Sequence, residues 1–484
     1  MKKFISVVLL LALSLSLFAC TSTGNGETND GGENVKRDGL YIGYGRADIM
    51  PEKGVPTPLG GYGSTDNRLS TQFLDILQAT CLAVTDPDGE TALIFTQDLI
   101  QCYADFFNGG RKAVSEATKV PENRIFFAAT HTHSAPDTSK PLGENAAIDA
   151  YYKIWVAGVV EAATEAIADQ KKVSSMGAGK IQTEKMTYDR HYKHVDGTYA
   201  GDNFGTLQIG LVEGYAEKAD EEMIVLQIDR EGQEKPIVLV NFQMHPCMTG
   251  GATETTISAD VIASCRDYME KEMNVDFAYF TGAAGNQNLK TYIAADMHAL
   301  DYKSYGKALG DYAAEALKKL EPITGTDLKI NQQVYTGEIF HAMEDKLAQA
   351  EEIKKMFAET GDRETCTKKA QEYGFASVYQ CNAIVRRKDL PATMDMELNA
   401  ISIGDFALIT APYEMFSVNA FTIKEGSPYK YTFILTNAGE NRSYIPSQLM
   451  YEKGCYESHT ANYAPGTGEK VADFFVQMLK DLKG

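Results

Sequence analysis

No C-x-x-C pair occurs in the 484-residue chain, which sets aside a cysteine zinc site. Internal repeats are also absent, and tryptophan occurs once. Positive charge is scarce, with 46 Lys and Arg against 66 Asp and Glu, giving a net charge of −20 and a pI near 4.9. Phosphates would be repelled by such a chain, so nucleic acid is excluded as a partner, and there is no basic patch for an anionic membrane. The one long apolar run, Ile5–Phe18, is too short for a comfortable membrane span.

What is present begins with that run. Lys2 and Lys3 precede it and Leu17-Phe18-Ala19-Cys20 closes it, so residues 1–20 read as a signal peptide. The closing four residues resemble a bacterial lipobox. The resemblance implies cleavage before Cys20, a lipid on its thiol, and an exported lipoprotein anchored to a membrane. Residues 21–38 are rich in Gly, Thr, Asn and Glu and read as a flexible tether. Residues 39–484, in a chain that is 44% hydrophobic, are enough for one large domain. Seven further cysteines are scattered through it, an odd number that cannot all pair. Cys366 and Cys381 flank a short helical stretch and could bridge; the others read as buried small hydrophobes.

Two hairpins are expected, one turning at Asp86-Pro87-Asp88-Gly89 and one at Arg230-Glu231-Gly232. Helices are expected over Phe106–Val120, Ala146–Gln170, Asp260–Lys271, Asp301–Leu320 and Lys470–Leu482, with a charged helical excursion over about 341–385. Strand–turn–strand patterning returns in "MELNAISIGDFALITAP". Regular βαβ alternation is not visible. The expected fold is therefore α/β of an α+β-like kind, with mixed or antiparallel sheets packed together and flanked by helices in one catalytic domain.

Four apolar strands run into polar loops, at His131/His133, His245, Glu414 and Tyr444. Strand ends are where a rigid scaffold delivers side chains to a cleft. Residues i and i+2 of a strand share a face, so His131 and His133 are candidates to share one pocket. Neutral imidazole is a common zinc donor, and further ligands can come from far along the chain. The residues alone thus give a candidate histidine metal site, with an ordinary polar loop as the alternative.

"ATHTHSAP", residues 129–136, resembles a signature of the neutral ceramidase family. "GRADIMPEKGVPTPLGGYG", "VNFQMHP", "TGAAGNQN", "APYEMF" and "RSYIPSQLMYEKGCYES" resemble further segments of that family, in its order, from about residue 43 to 465. The resemblance implies zinc held by His131, His245, Glu414 and Tyr444. It implies that His133 contacts the substrate carbonyl or moves its proton, and that Tyr456 stabilises the oxyanion. It implies that Arg190, in "YDRHYKH", touches substrate; this motif is loosely matched. The implied activity is zinc-assisted hydrolysis of ceramide or a related lipid-like N-acyl amide. The alternatives are hydrolysis of another amide or ester, and binding of a lipid or glycan without turnover.

The loop Gly285-Asn286-Gln287-Asn288 lacks the serine that the family often carries, so a serine nucleophile from that loop is set aside. Asp260 reads as a helix N-cap. Asp98 and Asn286 are open between a role behind the site and simple loop or turn chemistry. His459 reads as a bystander. His191, His194, His298 and His341 read as surface or core-edge residues rather than ligands.

Overall fold

Several strands are apolar at every position rather than at alternate ones, and the reason is that both of their faces are covered. In Ile125–Ala129, Ile237–Phe242 and Tyr431–Leu435 every residue is buried. The computed structural model describes residues 35–62, 68–202 and 207–484. The signal peptide, the Cys20 anchor and most of the tether lie outside the described residues. Lys36–Gly484 forms one unit.

The strands that build it are, in chain order, β1 (Tyr41–Asp48), β2 (Gln78–Thr85), β3 (Thr91–Gln97), β4 (Ile125–Ala129) and β5 (Lys171–Gln182). They continue as β6 (Glu222–Arg230), β7 (Ile237–Phe242), β8 (Asp276–Thr281), β9 (Leu328–Glu338), β10 (Thr393–Ile403), β11 (Phe406–Thr410), β12 (Glu414–Met415), β13 (Tyr431–Leu435) and β14 (Tyr444–Ile445). A nine-stranded sheet runs β8-β7-β6-β5-β1-β2-β3-β4, with Glu321–Pro322 added beside β5. A four-stranded sheet runs β9-β10-β11-β13. The two sheets face each other across an apolar core that includes Ile94, Leu226 and Phe280 from one and Ile401, Leu408 and Phe433 from the other.

Helices cover the outer faces. Helices α1 (Ala104–Thr118), α2 (Ala146–Ala168), α3 (Val261–Glu272) and α4 (Tyr302–Leu317) pack on the large sheet. The helical excursion holds α5 (Leu347–Thr360), α6 (Arg363–Glu372) and α7 (Val378–Arg387), which share a small core of their own. Helix α8 (Ser417–Gly426) follows β12, then come α9 (Gln448–Lys453), α10 (Tyr456–Thr460) and α11 (Thr467–Lys483). Helices α8 and α11 close the outer face of the small sheet. Helix α2 lies so close on β1 that a Cβ at Gly43 would sit 1.9 Å from the carbonyl oxygen of Ala166. The single tryptophan, Trp155 on α2, donates to Gln97 Oε1 at 2.7 Å. No described helix is long and apolar enough to cross a membrane.

Both expected hairpins form, β2–β3 and β6–β7, in antiparallel register. The sheets are mixed, with helices on their outer faces, as the patterning suggests. One feature is absent from the sequence reading. Within the nine- and four-stranded sheets three strand pairs are parallel, β3–β4, β7–β8 and β11–β13, and each is joined through a helix (α1, α3 and α8). The first strand of each of these units is also the second strand of a hairpin, so the local pattern reads as antiparallel and hides the crossover. All seven described cysteines are free, so Cys366 and Cys381 are not bridged.

Asn241 on β7 stitches the two sheets together. Its amide nitrogen donates to the carbonyls of Phe280 and Ile434, both at 2.9 Å, and its oxygen accepts from the Ile434 N–H at 3.0 Å. Asn241→Leu leaves those backbone groups buried without a partner. The expected loss is about 2–4 kcal/mol, read as a lower urea midpoint with no change in metal content.

Candidate metal centre

Three chain segments that follow the parallel units meet at one point. His131 lies two residues past β4, His245 three residues past β7, and Glu414 four residues past β11. Open sheets place their sites at the carboxyl ends of parallel strands, because the crossover sends the chain away from that edge.

His131 is not in a strand. Strand pairing ends at Ala129, and His131 itself has φ 68°, left-handed backbone for a non-glycine residue. Strand alternation therefore does not bring His131 and His133 together; this bend does. The bend is held by hydrogen bonds on both sides. The His131 N–H donates to Leu99 O at 2.9 Å, and the His133 N–H to Pro246 O at 3.1 Å.

The ring nitrogens reveal what the site can hold. His131 Nδ1 lies 2.7 Å from the carbonyl oxygen of Ile100, and His245 Nδ1 lies 2.7 Å from that of Ala284. A carbonyl only accepts, so both Nδ1 atoms carry the proton and both Nε2 atoms present lone pairs. These two Nε2 atoms face each other at 3.2 Å. His133 Nε2 is 3.3 Å from His131 Nε2. Glu414 Oε2 lies 3.2 Å from the Nε2 atoms of both His131 and His245, yet it has no hydrogen-bond donor. Lone pairs and a carboxylate oxygen crowded together in a buried site repel unless a cation lies among them. The donor set suits a divalent ion, and carbonyl-anchored Nδ1 atoms are the usual support for histidine ligands.

Charge agrees. Burial, and then the Arg190 guanidinium, push His245 down to about 4, so it is neutral at pH 7. Burial alone would raise Glu414; positive charge at His131 and His245 outweighs it and holds the carboxyl well below its ordinary range, and with neutral imidazoles a cation among them would supply that charge. Burial, reinforced by His131 and His245, also holds His133 well below the ordinary imidazole value.

Tyr444 reaches the site through backbone pairing, since β12 and β14 run parallel with Glu414 opposite Tyr444. Tyr456 packs against it, with ring centroids 5.8 Å apart. Gly285 locks this pair to the His245 loop. Its N–H donates to Met415 O at 2.8 Å, and a Cβ there would lie 2.8 Å from Glu414 O. His133 differs from the other two histidines, because its Nδ1 is buried without an acceptor. Its ring is seated edge-on against Tyr62 at 5.0 Å.

All seven residues named from sequence are thus gathered in one place. They line two adjoining cavities, of about 350 and about 140 Å³, that share His133, Tyr444 and Tyr456. Arg190 is 3% exposed and lines the smaller one. Its Nη2 donates to Gly285 O at 2.6 Å and pairs with Glu457 at 2.5 Å, while its Nη1 is 3.4 Å from His245 Nε2.

Sequence reasoning missed what lies behind Arg190. Glu457 also takes a proton bond from His191 Nε2 at 2.6 Å, and His191 Nδ1 lies 3.2 Å from Asp189. His191 is 1% exposed, not a surface residue. Cys455 lies near enough for this cluster to resemble a metal site, but both ring nitrogens of His191 are already matched to carboxylates, which makes it an ion-pair brace. A charge alternation over residues 189–191 was the only available signal. Asp98 serves no histidine; it pairs with Arg266 at 2.6 Å. Asn286 is a buried tie to Ser417 and Asp189. Asp260 caps α3 as expected, accepting from the Val261 N–H. His194 is buried and His341 pairs with Glu344. His459 lines neither cavity.

Neither a protein-family model nor a curated protein matches the chain. Solved structures do. Neutral ceramidase from Pseudomonas aeruginosa aligns with a TM-score of 0.69 over 92% of this chain and 74% of its own, at 17% identity. A ceramidase complexed with C2 aligns with a TM-score of 0.68 over 92% and 75%, at 16% identity. The chain has the fold of these two proteins.

The brace sets a pH limit. Burial raises Glu457, but Arg190 and His191 outweigh it and lower its carboxyl from 4.5 to about 2. A lowered acid stabilises the fold above its unfolded value and loses that contribution as pH falls through the folded one. Between pH 4.5 and about 2 the protein should lose about 3 kcal/mol from this group alone. Glu457→Gln should flatten that acid limb in urea titrations, while lowering stability at pH 7 by about 3 kcal/mol or more.

Proposed function

We propose that the protein is a zinc-dependent amide hydrolase that releases fatty acid from ceramide or a related N-acyl lipid. One observation carries this reading: the Nε2 lone pairs of His131 and His245 are aimed at each other beside an ionised Glu414 that has no donor. The likeness in fold to ceramidases supports the choice of an amide over other bonds.

His131, His245, Glu414 and Tyr444 would hold the ion. When bound, zinc makes ionised water available at neutral pH and polarises the amide carbonyl. The protein's own groups do the rest. Backbone carbonyls of Ile100 and Ala284 keep two imidazoles in the ligand tautomer. His133 turns its Nε2 to the site, 3.3 Å from His131 Nε2, where it would contact the substrate carbonyl or pass a proton to the leaving amine. Burial and the nearby Glu414 push the Tyr456 hydroxyl above its ordinary value, so it stays protonated and can donate to a developing oxyanion. Arg190 adds fixed positive charge beside His245. Export and attachment through Cys20 belong to the same proposal; they would put the enzyme at a membrane, where N-acyl lipids lie.

Hydrolysis of another amide or ester has a specific observation in its favour. Most of the side chains around the larger cavity are polar, which does not suit a second long alkyl chain.

Purified protein should contain one zinc per chain and release fatty acid from a fluorescent N-acylsphingosine in a chelator-sensitive way. His131→Ala should lose zinc and activity together. His133→Ala should keep its zinc and lose about 10²–10³-fold in kcat. Full zinc content in His131→Ala would refute the ligand set, and turnover untouched by chelator would refute the metal mechanism.

A further inference from the structure

The helical excursion contributes one side chain to the larger cavity, Arg386 on α7. Its guanidinium is fixed in place by neutral groups only. Nε and Nη2 donate to Asn462 Oδ1 at 3.2 and 2.9 Å, and Nη2 donates to Thr460 O at 2.7 Å. The next residue repeats the arrangement. Arg387 is buried, donates to the carbonyls of Ala461 and His459, and lies 5.4 Å over the Phe340 ring. Among the described residues neither guanidinium is paired with a carboxylate.

Acidic residues outnumber basic ones by twenty. Arg190, Arg111 and Arg442 pair with Glu457, Glu397 and Glu440, whereas Arg68 beside the site donates to the carbonyls of Glu254, Gly60 and His133. Arg386 is solvent-exposed where it lines the larger cavity, with Arg387 buried next to it, and the two adjacent cations, held by backbone carbonyls and the Asn462 amide oxygen, give that side of the cavity a positive potential. The wall around Arg386 continues its polarity, with Gln101, Ser139, Asn441, Ser443 and Asn462. The rings of Tyr62, Tyr444 and Tyr456 line both cavities, and the smaller one adds Tyr379 together with Arg190 and Arg363. An alkyl chain belongs among rings and a charged head among amides and a guanidinium.

We infer that the amine half of the substrate carries an anionic group, a carboxylate or phosphate, which binds Arg386 while the acyl chain lies in the smaller cavity. This rests on the hydrolase reading above and narrows its substrate. Arg386 is the specificity-determining residue: it presents a charged, pre-oriented donor whose own position is fixed by Asn462 and Thr460.

The test uses N-lauroylglycine and its uncharged analogue N-lauroylglycinamide, with laurate release by the zinc-loaded protein and calorimetric binding to the metal-free protein. N-lauroylethanolamine and its O-phosphate form a second pair, and the larger ratio identifies the anion. The expected preference for the charged member is at least ~10-fold, expressed in KM and in binding. Arg386→Gln should reduce it to within about twofold, and Arg386→Lys, which keeps the charge but not the fork, should retain most of it. Lys388→Gln, a nearby cation already paired with Glu351, should leave the ratio alone. If Arg386 only props the 459–462 segment, both Arg386 variants shift charged and neutral substrates equally, and the inference falls. Turnover of all four substrates without charge preference also overturns it and leaves the hydrolase standing. Preferential binding without any turnover keeps the anion site and refutes the hydrolase. No turnover and no preference refutes both.

Discussion

Two imidazole nitrogens that repel each other are the constraint on which the rest of this structure depends. His131 and His245 are turned by backbone carbonyls so that their lone pairs meet at 3.2 Å. Arg190 Nη1 comes within 3.4 Å of His245 Nε2 and His133 Nε2 within 3.3 Å of His131 Nε2, and a cation bound between the two nitrogens would relieve the contact directly. Those carbonyls come from loops packed on rigid sheets, so neither ring can rotate away without breaking a buried hydrogen bond, at a cost of about 1–3 kcal/mol. The strain of a left-handed His131 belongs to the same account: about 1–3 kcal/mol of backbone energy is held in place because the neighbouring strands over-determine the bend. A site built in this way is formed without an ion, and such preorganisation favours affinity over adaptability for any cation it would bind.

The fold supplies the convergence. One strand of each parallel pair, β4, β7 and β11, ends at one edge, and the chain past each end supplies one of the residues that would face an ion. Because the ends of β4, β7 and β11 are fixed by sheet register, the three side chains arrive from different elements with little freedom. The Asp189–His191–Glu457–Arg190 chain then acts as a buried brace on the far side of His245. Its charges alternate in sign along the network, which is the condition under which ion pairs survive desolvation.

Much of this was legible in the amino-acid order, and the parts that were not have physical reasons. His131, His133, His245 and Glu414 could be found because apolar runs lead straight into them. The hairpins could be found because Asp-Gly and Glu-Gly turns separate matched runs. The parallel pairing could not, because β7 and β11 each also close a hairpin and a fully buried strand carries no mark of its neighbour's direction. Glu457 could not be linked to Arg190 because 266 residues separate it from its other partner, His191. Nor could His191 be told from a surface histidine, since only the fold reveals that both its nitrogens are matched. The shared neighbourhood of His131 and His133 was inferred from strand alternation, but a bend past the strand end produces it.

Holding an ion and choosing a substrate fall to different parts of this molecule. The ion-facing residues stand at sheet edges, where a one-residue shift would displace a whole strand, so they tolerate little change. The cavity walls come largely from elsewhere: Tyr379 and Arg386 from the excursion, Tyr62 from an early loop, Asn462 from the segment after α10. Those segments have their own small core or run over the surface, so they can be altered without moving the sheets. Interior strands need only remain apolar and of suitable volume, which is how 17% identity is compatible with a TM-score of 0.69. A likeness in fold therefore constrains the sheets more strongly than the cavity walls, which come from segments with a small core of their own or running over the surface.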